Sequence, residues 1–395
     1  MERQGHCSLF WFISEHGRWG SPVETAFEEQ SLTAEDQLFI LMQAAKYLTN
    51  TRGLGAPEAR ICYERAEPLC HSLNQPRLLC LALRGQWRYC LMMDKLSVAL
   101  QIAERAYSLA QEQNDAALMI GVCASLAANL FFLGDFESAR QYAMHGVHIW
   151  RSGGVKSHPE DVDTPVVGCL CHAALSDWHL GEIASCKANM DEAISLAREL
   201  NDKNALALAL NWAAMLGGYE RNPAEVDRWA SELIGLSTRH NFVYWLAVGA
   251  ISRGWAHSAS GDTTEGIPWI EQGIRDFRAT GAVLGLPGYL ARKAEALHLA
   301  NRTSEALGAI SEAEALAERF EHRYVLFRLH WLRGVFLTAM GADEMQIEAS
   351  FCEAIRIAKQ QKAVSLTKRA EGTYAEYRRQ KASASGGHGF RLPLW

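Results

Sequence analysis

Apolar side chains recur every three or four residues along most of this chain, and short polar segments interrupt them at regular intervals. In the first clear segment, residues 33–50, the side chains of Leu38, Leu41 and Ala45 fall on one face of a helix. The same periodicity predicts a succession of helices that reaches about residue 380. The pattern therefore predicts an all-α protein.

The polar interruptions between helix pairs fall at a fixed spacing of 40 residues within two runs of the chain. These residues are Asn74 and Asn114 in the first run, and Asn201, Asn241, Gly281, Glu321 and Gln361 in the second. A helix-turn-helix unit that repeats at about this length is typical of an α-solenoid, in which each unit packs against its neighbours in sequence. The chain is therefore predicted to be one long solenoid.

Three segments do not follow the repeat. Residues 1–31 are broken by Gly and Pro, so we expect an irregular lead-in. Residues 151–164 have the Gly, Ser and Pro content of a loop inserted between units. Residues 381–395 contain a Ser- and Gly-rich stretch that predicts a flexible tail. The solenoid itself is therefore predicted to span residues 32–380.

A small residue lies thirteen positions after most of the interruptions. A side chain without bulk at this place lets the two helices of one unit cross closely, with the ridges of one helix in the grooves of the other. The predicted helix-crossing residues are Ala127, Ala214, Gly254, Ala294 and Gly334.

The spacing of these small residues is similar to that of the tetratricopeptide repeat, lengthened from about 34 residues to about 40. Within residues 35–380 the amino-acid sequence also resembles the C-terminal solenoid of certain large bacterial signalling proteins. In that family an adenylate/guanylate cyclase or DNA-binding module precedes an AAA-type ATPase, and the solenoid follows. The segments that carry the resemblance are 207–214, 245–256, 277–282, 329–334 and 351–366. It implies a right-handed superhelix and a role in bacterial signal transduction.

The catalytic parts of that family have no counterpart in this sequence. The segment from Gly261 to Gly266 has the glycine spacing of a phosphate-binding loop, but no lysine follows to reach a phosphate. No cyclase-like or helix-turn-helix DNA-binding segment precedes the repeats. We therefore expect no enzyme activity, no catalytic residue and no cofactor.

Composition and charge narrow the classes of partner. The chain has 395 residues, of which 49% are hydrophobic and 21% charged, and its net charge is −6. A globular protein with this charge lacks the basic face that a general nucleic-acid binder needs. No apolar stretch approaches the roughly 20 residues of a membrane span. The ten cysteines lie mostly within apolar helical patterns, which predicts reduced thiols in a cytoplasmic protein.

The predicted partner-binding site is the concave groove of the solenoid. In tetratricopeptide folds the first helices of successive units line a surface that holds an extended peptide or a partner helix. Tryptophan and arginine commonly anchor such interfaces. For Trp255 and Trp331, core packing is an equally good interpretation. Counted from the small residues, the groove positions are Arg84, Arg88, Asn211, Met215, Trp255, Glu295, His298, Arg328 and Trp331.

Three further groups of polar or cysteine residues could in principle bind a partner or a metal ion. The basic residues Arg253, Lys293 and Arg333 could form a ladder for a carboxylate-bearing partner, but pairing with acidic residues of the adjacent helix is favoured. A metal site is not predicted, because Cys169 and Cys171 point to different sides of a helix. The C-terminal basic cluster, which is predicted to be a solvated helix end, comprises Lys368, Arg369, Arg378, Arg379 and Lys381.

The sequence thus predicts a non-catalytic interaction scaffold or regulatory module of bacterial signal transduction, which binds a partner protein or peptide in its groove. An ATPase or cyclase module of the kind that the similar proteins carry is one candidate partner. Nucleic acid and membrane are not expected as partners. Two alternatives remain open: a solenoid that senses a small ligand, and a detached C-terminal part of an ATPase- or cyclase-type signalling protein.

Overall fold

A computed structural model describes residues 32–93, 95–153, 164–383 and Leu392. This part of the chain contains seventeen α-helices, one 3-10 turn and no strand. The helices of the first half are α1 (Ala34–Arg52), α2 (Pro57–Ser72), α3 (Pro76–Met93), α4 (Leu96–Gln113), α5 (Ala116–Phe132), α6 (Phe136–Gly153), α7 (Pro165–Leu180) and α8 (Ile183–Glu199). Those of the second half are α9 (Lys203–Tyr219), α10 (Pro223–His240), α11 (Val243–Ala259), α12 (Thr263–Ala279), α13 (Leu286–Leu299), α14 (Thr303–Phe320), α15 (Leu326–Ala339), α16 (Glu344–Gln360) and α17 (Val364–Ser383).

Successive helices form pairs, and the pairs stack into a solenoid. Each odd-numbered helix up to α15 is the first helix of a unit and packs against the even-numbered helix that follows it, while α17 follows the last pair. From α3 to α15, the first helices of neighbouring units also contact one another, so they form an inner layer with the second helices outside. The all-α solenoid of tetratricopeptide-like helix pairs that the sequence predicted is confirmed.

The 40-residue spacing has a backbone origin. Asn114, Asn241 and Glu321 end helices in the left-handed conformation, with φ of 47°, 55° and 62°. A left-handed residue at this place lets a helix stop and the chain turn into the next unit. In the last unit this conformation falls on Lys362, one residue later than predicted. The repeat in the sequence thus records where one unit ends and the next begins.

Polar side chains fix the beginnings of several helices. The carboxylate of Asp115 accepts the backbone N–H groups of Ala117 and Leu118, and Asp202 accepts that of Ala205. These bonds satisfy donors that have no partner within the helix. The positions at which these helices begin are therefore determined by residues close to them in the sequence.

The predicted small residues lie buried within the solenoid, and the closest crossing is that of α11 and α12. A Cβ added to Gly254 of α11 would lie 2.6 Å from the carbonyl oxygen of Gly266 in α12. A Cβ on Gly334 would lie 2.8 Å from the ring of Phe351. These positions cannot hold a larger side chain unless the helices move apart.

The in-phase basic residues pair with acids on the preceding second helix. Arg253 lies 3.3 Å from Asp227 of α10, and Lys293 lies 2.9 Å from Glu271 of α12. Arg333 forms the corresponding ion pair with Glu314 of α14. The favoured interpretation of this ladder, as contacts between adjacent helices, agrees with the structure.

The solenoid closes on itself after one turn of its superhelix. The N–H groups of Val283 and Leu284 donate to the carbonyl oxygen of Met92 over 2.8 and 3.2 Å. Later along the chain, the hydroxyl of Ser365 donates to the carbonyl oxygen of Trp178 over 2.6 Å. Two further contacts join residues 224 and 225 positions apart, namely Ser97 with Glu321 and Glu137 with Lys362. Contacts between early and late units therefore bring the first helices around a central interior.

Closure explains where helix boundaries depart from the prediction. The repeat predicts a helix over 283–300, after the interruption at Gly281, but α13 begins only at Leu286 because Val283 and Leu284 direct their N–H groups to Met92. Similarly, a 3-10 turn over Arg323–Val325 precedes α15. At the end of the chain, α17 extends to Ser383. Leu392, in the segment predicted to be a flexible tail, is buried.

Several predictions concern residues outside the described part of the chain, namely the lead-in 1–31 and most of the inserted loop, 154–163. All nine described cysteines are free thiols, and eight of them are buried. Among the described helices, none combines the length and the apolar character that crossing a membrane requires.

Replacing Gly308 with alanine is expected to stabilise the protein by about 1 kcal/mol. Gly308 is an exposed interior residue of α14, and no atom outside its own helix lies within 4 Å of an added Cβ. Alanine loses less backbone entropy there on folding. The midpoint of urea unfolding should rise; an unchanged or lower midpoint would contradict the helix assignment.

Candidate functional site

The central interior contains a cavity of about 150 Å³ in the centre of the superhelix, which we call the central cavity. First helices from α3 to α17 supply most of its walls. A second cavity of about 230 Å³ adjoins it, and the two share Leu54, Tyr244 and Trp245. The second cavity lies where α9 and α11 begin, so it extends the interior along these two helices.

Aromatic side chains dominate the walls of the central cavity. Tyr219, at the end of α9, and Tyr324, in the 3-10 turn before α15, both line the central cavity. Such rings combine a large apolar surface with a polar group that can bind a ligand. The aromatic lining residues are Trp87, Phe132, Trp212, Tyr219, Tyr244, Trp245, Tyr289, Tyr324, Phe327 and Trp331.

The central cavity is also rich in positive charge. Its lining includes six arginines and no aspartate or glutamate among the described residues. Two of these arginines lie on α3, and four gather near the C-terminal end of α9. They are Arg84 and Arg88, and then Arg221, Arg292, Arg328 and Arg369.

One buried carboxylate lies behind the second group of arginines. Glu295 of α13 is fully buried, and its oxygens lie 3.0 Å from Arg221 and 3.1 Å from Arg328. The indole N–H of Trp255 donates to it over 2.6 Å. The Arg221 guanidinium also stacks over Trp331 at 5.1 Å. This network fixes two arginines against the cavity wall.

The charges in this network shift one another's protonation. Burial opposes ionisation of Glu295, but Arg221 and Arg328 outweigh burial and lower the pKa of Glu295 to about 2. Burial lowers the pKa of Arg221, and repulsion from Arg328 adds to this effect, whereas the adjacent Glu295 opposes it.

Two arginines of the same group have no ion pair within the described residues. Arg292 is buried, and its Nη1 donates to the hydroxyl of Ser252 over 2.6 Å. Arg369 is partly buried, and its Nη2 donates to the carbonyl oxygen of Tyr219 over 2.6 Å. Burial, with a smaller effect from the neighbouring charge of Arg328 on Arg292 and of Arg221 on Arg369, lowers the pKa of each to about 10. Both remain charged at neutral pH.

The other titratable groups of the cavity do not offset this charge. Burial raises the pKa values of Tyr219, Tyr289 and Tyr324, so their phenols are neutral. Burial also lowers the pKa of His172 to about 4 and that of His179 to about 3, so both rings are neutral as well. The cavity therefore has a net positive charge at neutral pH.

Three polar side chains of the wall have atoms without hydrogen-bond partners in the described part of the chain. These atoms are Nε1 of Trp212, Nε2 of His172 and both ring nitrogens of His179. All three side chains are more than nine-tenths buried and line the cavity. Since buried polar groups in native proteins nearly always have partners, these atoms indicate space for a hydrogen-bonding occupant.

The structure brings most of the sequence-predicted groove residues to the cavity. Trp255 and Glu295 lie behind the wall instead, in the network described above. His298 is outside the lining, because its ring lies against Phe336 and its Nδ1 bonds to Thr303. The predicted residues that line the cavity are Arg84, Arg88, Asn211, Met215, Arg328 and Trp331.

Sequence reasoning missed three of the six cavity arginines. Arg221 lies in the turn after α9 in the left-handed conformation, a position that repeat counting does not assign to a groove. Arg292 precedes the in-phase residue Lys293 and faces the opposite way. Arg369 was predicted to lie in a solvated helix end, and this is wrong because its guanidinium bonds to Tyr219 in the interior. A possible signal for Arg292 was its position exactly one repeat after Ser252, the residue to which it bonds.

Cys169 and Cys171, where a metal site was not predicted, and the nearby His179 are all buried in the core. The thiol of Cys169 donates to the carbonyl oxygen of Ile120, and the ring of His179 stacks on Phe136 at 3.9 Å. A different trio, His257, Asp262 and Glu265, brings its ligand atoms within 4.8 Å of one another at the turn before α12. Asp262 and Glu265 are exposed, and Asp262 already caps the helix by accepting the N–H of Glu265.

Comparison with known proteins gives one sequence relative and one short family match. An uncharacterized protein of Rhizobium meliloti (strain 1021), R02095, is 24% identical over 356 residues, which cover 88% of this chain and 34% of that protein. The chain thus spans about a third of the length of the curated relative it matches. The family model of anaphase-promoting complex subunit 5 matches residues 167–219.

Solved structures share the fold at low sequence identity. A Rap protein in complex with Competence and Sporulation Factor aligns with a TM-score of 0.59 and 10% identity, over 88% of this chain and 99% of that one. NprR in complex with its cognate peptide NprX gives 0.52 and 12%, over 87% and 99%. A human IFIT1 dimer with m7Gppp-AAAA gives 0.52 and 11%, over 92% and 77%. The chain therefore has the tetratricopeptide-like helical fold of these proteins.

Proposed function

We propose that this chain binds a short peptide in its central cavity and acts as a non-catalytic regulatory module of bacterial signal transduction. The observation that carries the proposal is the cavity itself, which the first helices enclose and which aromatic and arginine side chains line. Aromatic rings and arginines provide most of the binding energy at many peptide and protein interfaces.

A structure with the same fold supports a peptide as the occupant. NprR was crystallised in complex with its cognate peptide NprX, and 99% of its chain aligns with this one. The Rap protein, in complex with Competence and Sporulation Factor, also aligns over 99% of its length. The residues proposed to contact the peptide are Arg84, Arg88, Asn211, Met215, Arg328 and Trp331.

The second part of the proposal is that the peptide-bound chain regulates another protein module. The relative R02095 is about three times as long as its match to this chain, which supports a solenoid that works beside other modules. An ATPase or cyclase module is the partner that the resemblance of the sequence suggests. Peptide binding would change the curvature of the closed superhelix, and the partner would sense that change.

Replacing Met215 with tryptophan is expected to reduce peptide retention at least ten-fold. Met215 is a partly buried residue of the cavity wall, and the larger ring would fill the space that a peptide needs. A mixture of random heptapeptides would be incubated with the protein, separated by gel filtration and measured by mass spectrometry in the protein fraction. Met345→Trp, at an exposed residue of α16, is the matched control and should retain as much peptide as the unmodified chain.

The proposal fails if the unmodified chain retains no peptide, or if Met215→Trp retains as much as the control. A small-ligand sensor is the second candidate, and the closure of the superhelix around a cavity of about 150 Å³ favours it. A rise in unfolding temperature with a metabolite, lost in Met215→Trp, would distinguish that function.

A further inference from the structure

We propose that Arg292 and Arg369 form an anion subsite at one end of the central cavity, and that this subsite binds the C-terminal carboxylate of the peptide. The inference rests on the proposed function, because it specifies which group of a bound peptide is recognised. Both side chains line the cavity, and both are held beside the last turn of α9. Arg369 donates to the carbonyl oxygen of Tyr219, and a Cβ on Gly218 would lie 3.4 Å from Nη2 of Arg292.

The charge balance at this end of the cavity requires an anion. Within the described part of the chain, four guanidiniums, those of Arg221, Arg292, Arg328 and Arg369, surround the one carboxylate of Glu295. The C-terminal end of α9 adds roughly half a negative charge. An excess of about two and a half positive charges therefore remains in a largely water-excluded place, where unbalanced charge is costly. A bound carboxylate would remove much of that excess.

A second observation points to an occupant at the same end. His179 is 1% exposed, lines the cavity and contacts the ring of Tyr219, with a centroid separation of 5.1 Å. Neither of its ring nitrogens has a hydrogen-bond partner among the described residues. Burial and the charge of Arg369 lower its pKa to about 3, so the neutral ring offers one donor and one acceptor. The last residue of a peptide carries a backbone N–H group, which can donate to the acceptor nitrogen of the ring. It also carries a carboxylate, which can accept from the ring N–H.

The shape of the interior favours the end of a peptide over a passing chain. The second cavity contains Asn204, near the start of α9, whereas the arginines lie beside Tyr219 at its end. Fifteen residues of helix separate them, which is about 22 Å. An extended peptide of about six or seven residues spans that distance. The second cavity has one basic and one acidic lining residue, Arg52 and Asp276, so it lacks the excess of positive charge that the four arginines give to the far end.

Two peptide pools that differ in one group test the subsite. Each contains random heptapeptides, one with a free C-terminal carboxylate and the other with a C-terminal carboxamide. The unmodified chain is expected to retain the carboxylate pool at least ten-fold better. Arg292→Met and Arg369→Met should each reduce this preference to less than two-fold, since methionine keeps the apolar stem without the charge. Arg369→Lys should recover part of the preference.

Arg356→Met is the matched control, because Arg356 is exposed and, among the described residues, forms hydrogen bonds only with Glu353 and Gln360 of its own helix. This variant should keep the full preference, and circular dichroism should show the helical content of each variant. Equal retention of both pools by the unmodified chain would overturn the carboxylate subsite and leave peptide binding intact. Retention of neither pool would instead refute the proposed function and this inference with it.

Discussion

Replacing Glu295 with glutamine is expected to lower the free energy of unfolding by about 3–5 kcal/mol. Glu295 is fully buried, and its carboxylate faces Arg221 and Arg328 across 3.0 and 3.1 Å. A glutamine of nearly the same shape keeps the packing but leaves the guanidiniums without a counter-charge. The measurement is urea unfolding followed by circular dichroism.

The control for this variant is Glu305→Gln, which removes an exposed carboxylate paired with Arg302 one helical turn away. Little change is expected there, because an exposed pair of this kind contributes little to stability. If the two variants unfold at the same urea concentration, the buried network has no special role in stability.

The same carboxylate makes stability depend on pH. Because the folded pKa of Glu295 is about 2 and the ordinary value is 4.5, the folded state binds its proton less readily than the unfolded state does. Its contribution is therefore complete above about pH 4.5 and is lost as the pH falls towards 2. Glu295→Gln should show a shallower loss of unfolding free energy over this interval than the unmodified chain. Equal slopes would contradict the assignment.

Replacing Gly254 with leucine is expected to cost about 1–3 kcal/mol of unfolding free energy. Even a Cβ at this position would lie 2.6 Å from the carbonyl oxygen of Gly266, so α11 and α12 must separate. Gly308→Ala, at an open helical position, should shift the urea midpoint in the opposite direction. A change near zero in Gly254→Leu would mean that the small residues of the repeat are not helix contacts.

Local signals in the sequence were enough to predict the repeat. Left-handed residues such as Asn241 and capping residues such as Asp202 act through their immediate neighbours, so their positions can be inferred without a structure. Gly254 could be recognised as a crossing because the same helix pair recurs along the chain. The fold class, the unit length and most helix boundaries followed from these features.

Contacts between residues that lie far apart in the sequence could not be predicted from these local signals. The late start of α13 depends on hydrogen bonds from Val283 and Leu284 to Met92, and no local pattern encodes them. The role of Arg369 was misjudged for the same reason, since its partner Tyr219 lies 150 residues earlier. Early and late first helices line one cavity because distant units of the solenoid meet, and repeat counting does not show how far a solenoid winds.

Because early and late units line the same cavity, the cavity can form only after the late units have been synthesised. Trp87 and Arg369 line the same cavity, yet the ribosome adds them 282 residues apart. At typical elongation rates, about 15 to 60 s pass between them. Throughout that time the aromatic faces of the early helices have no opposite wall, so a nascent chain would expose them to chaperones and cannot yet bind its ligand.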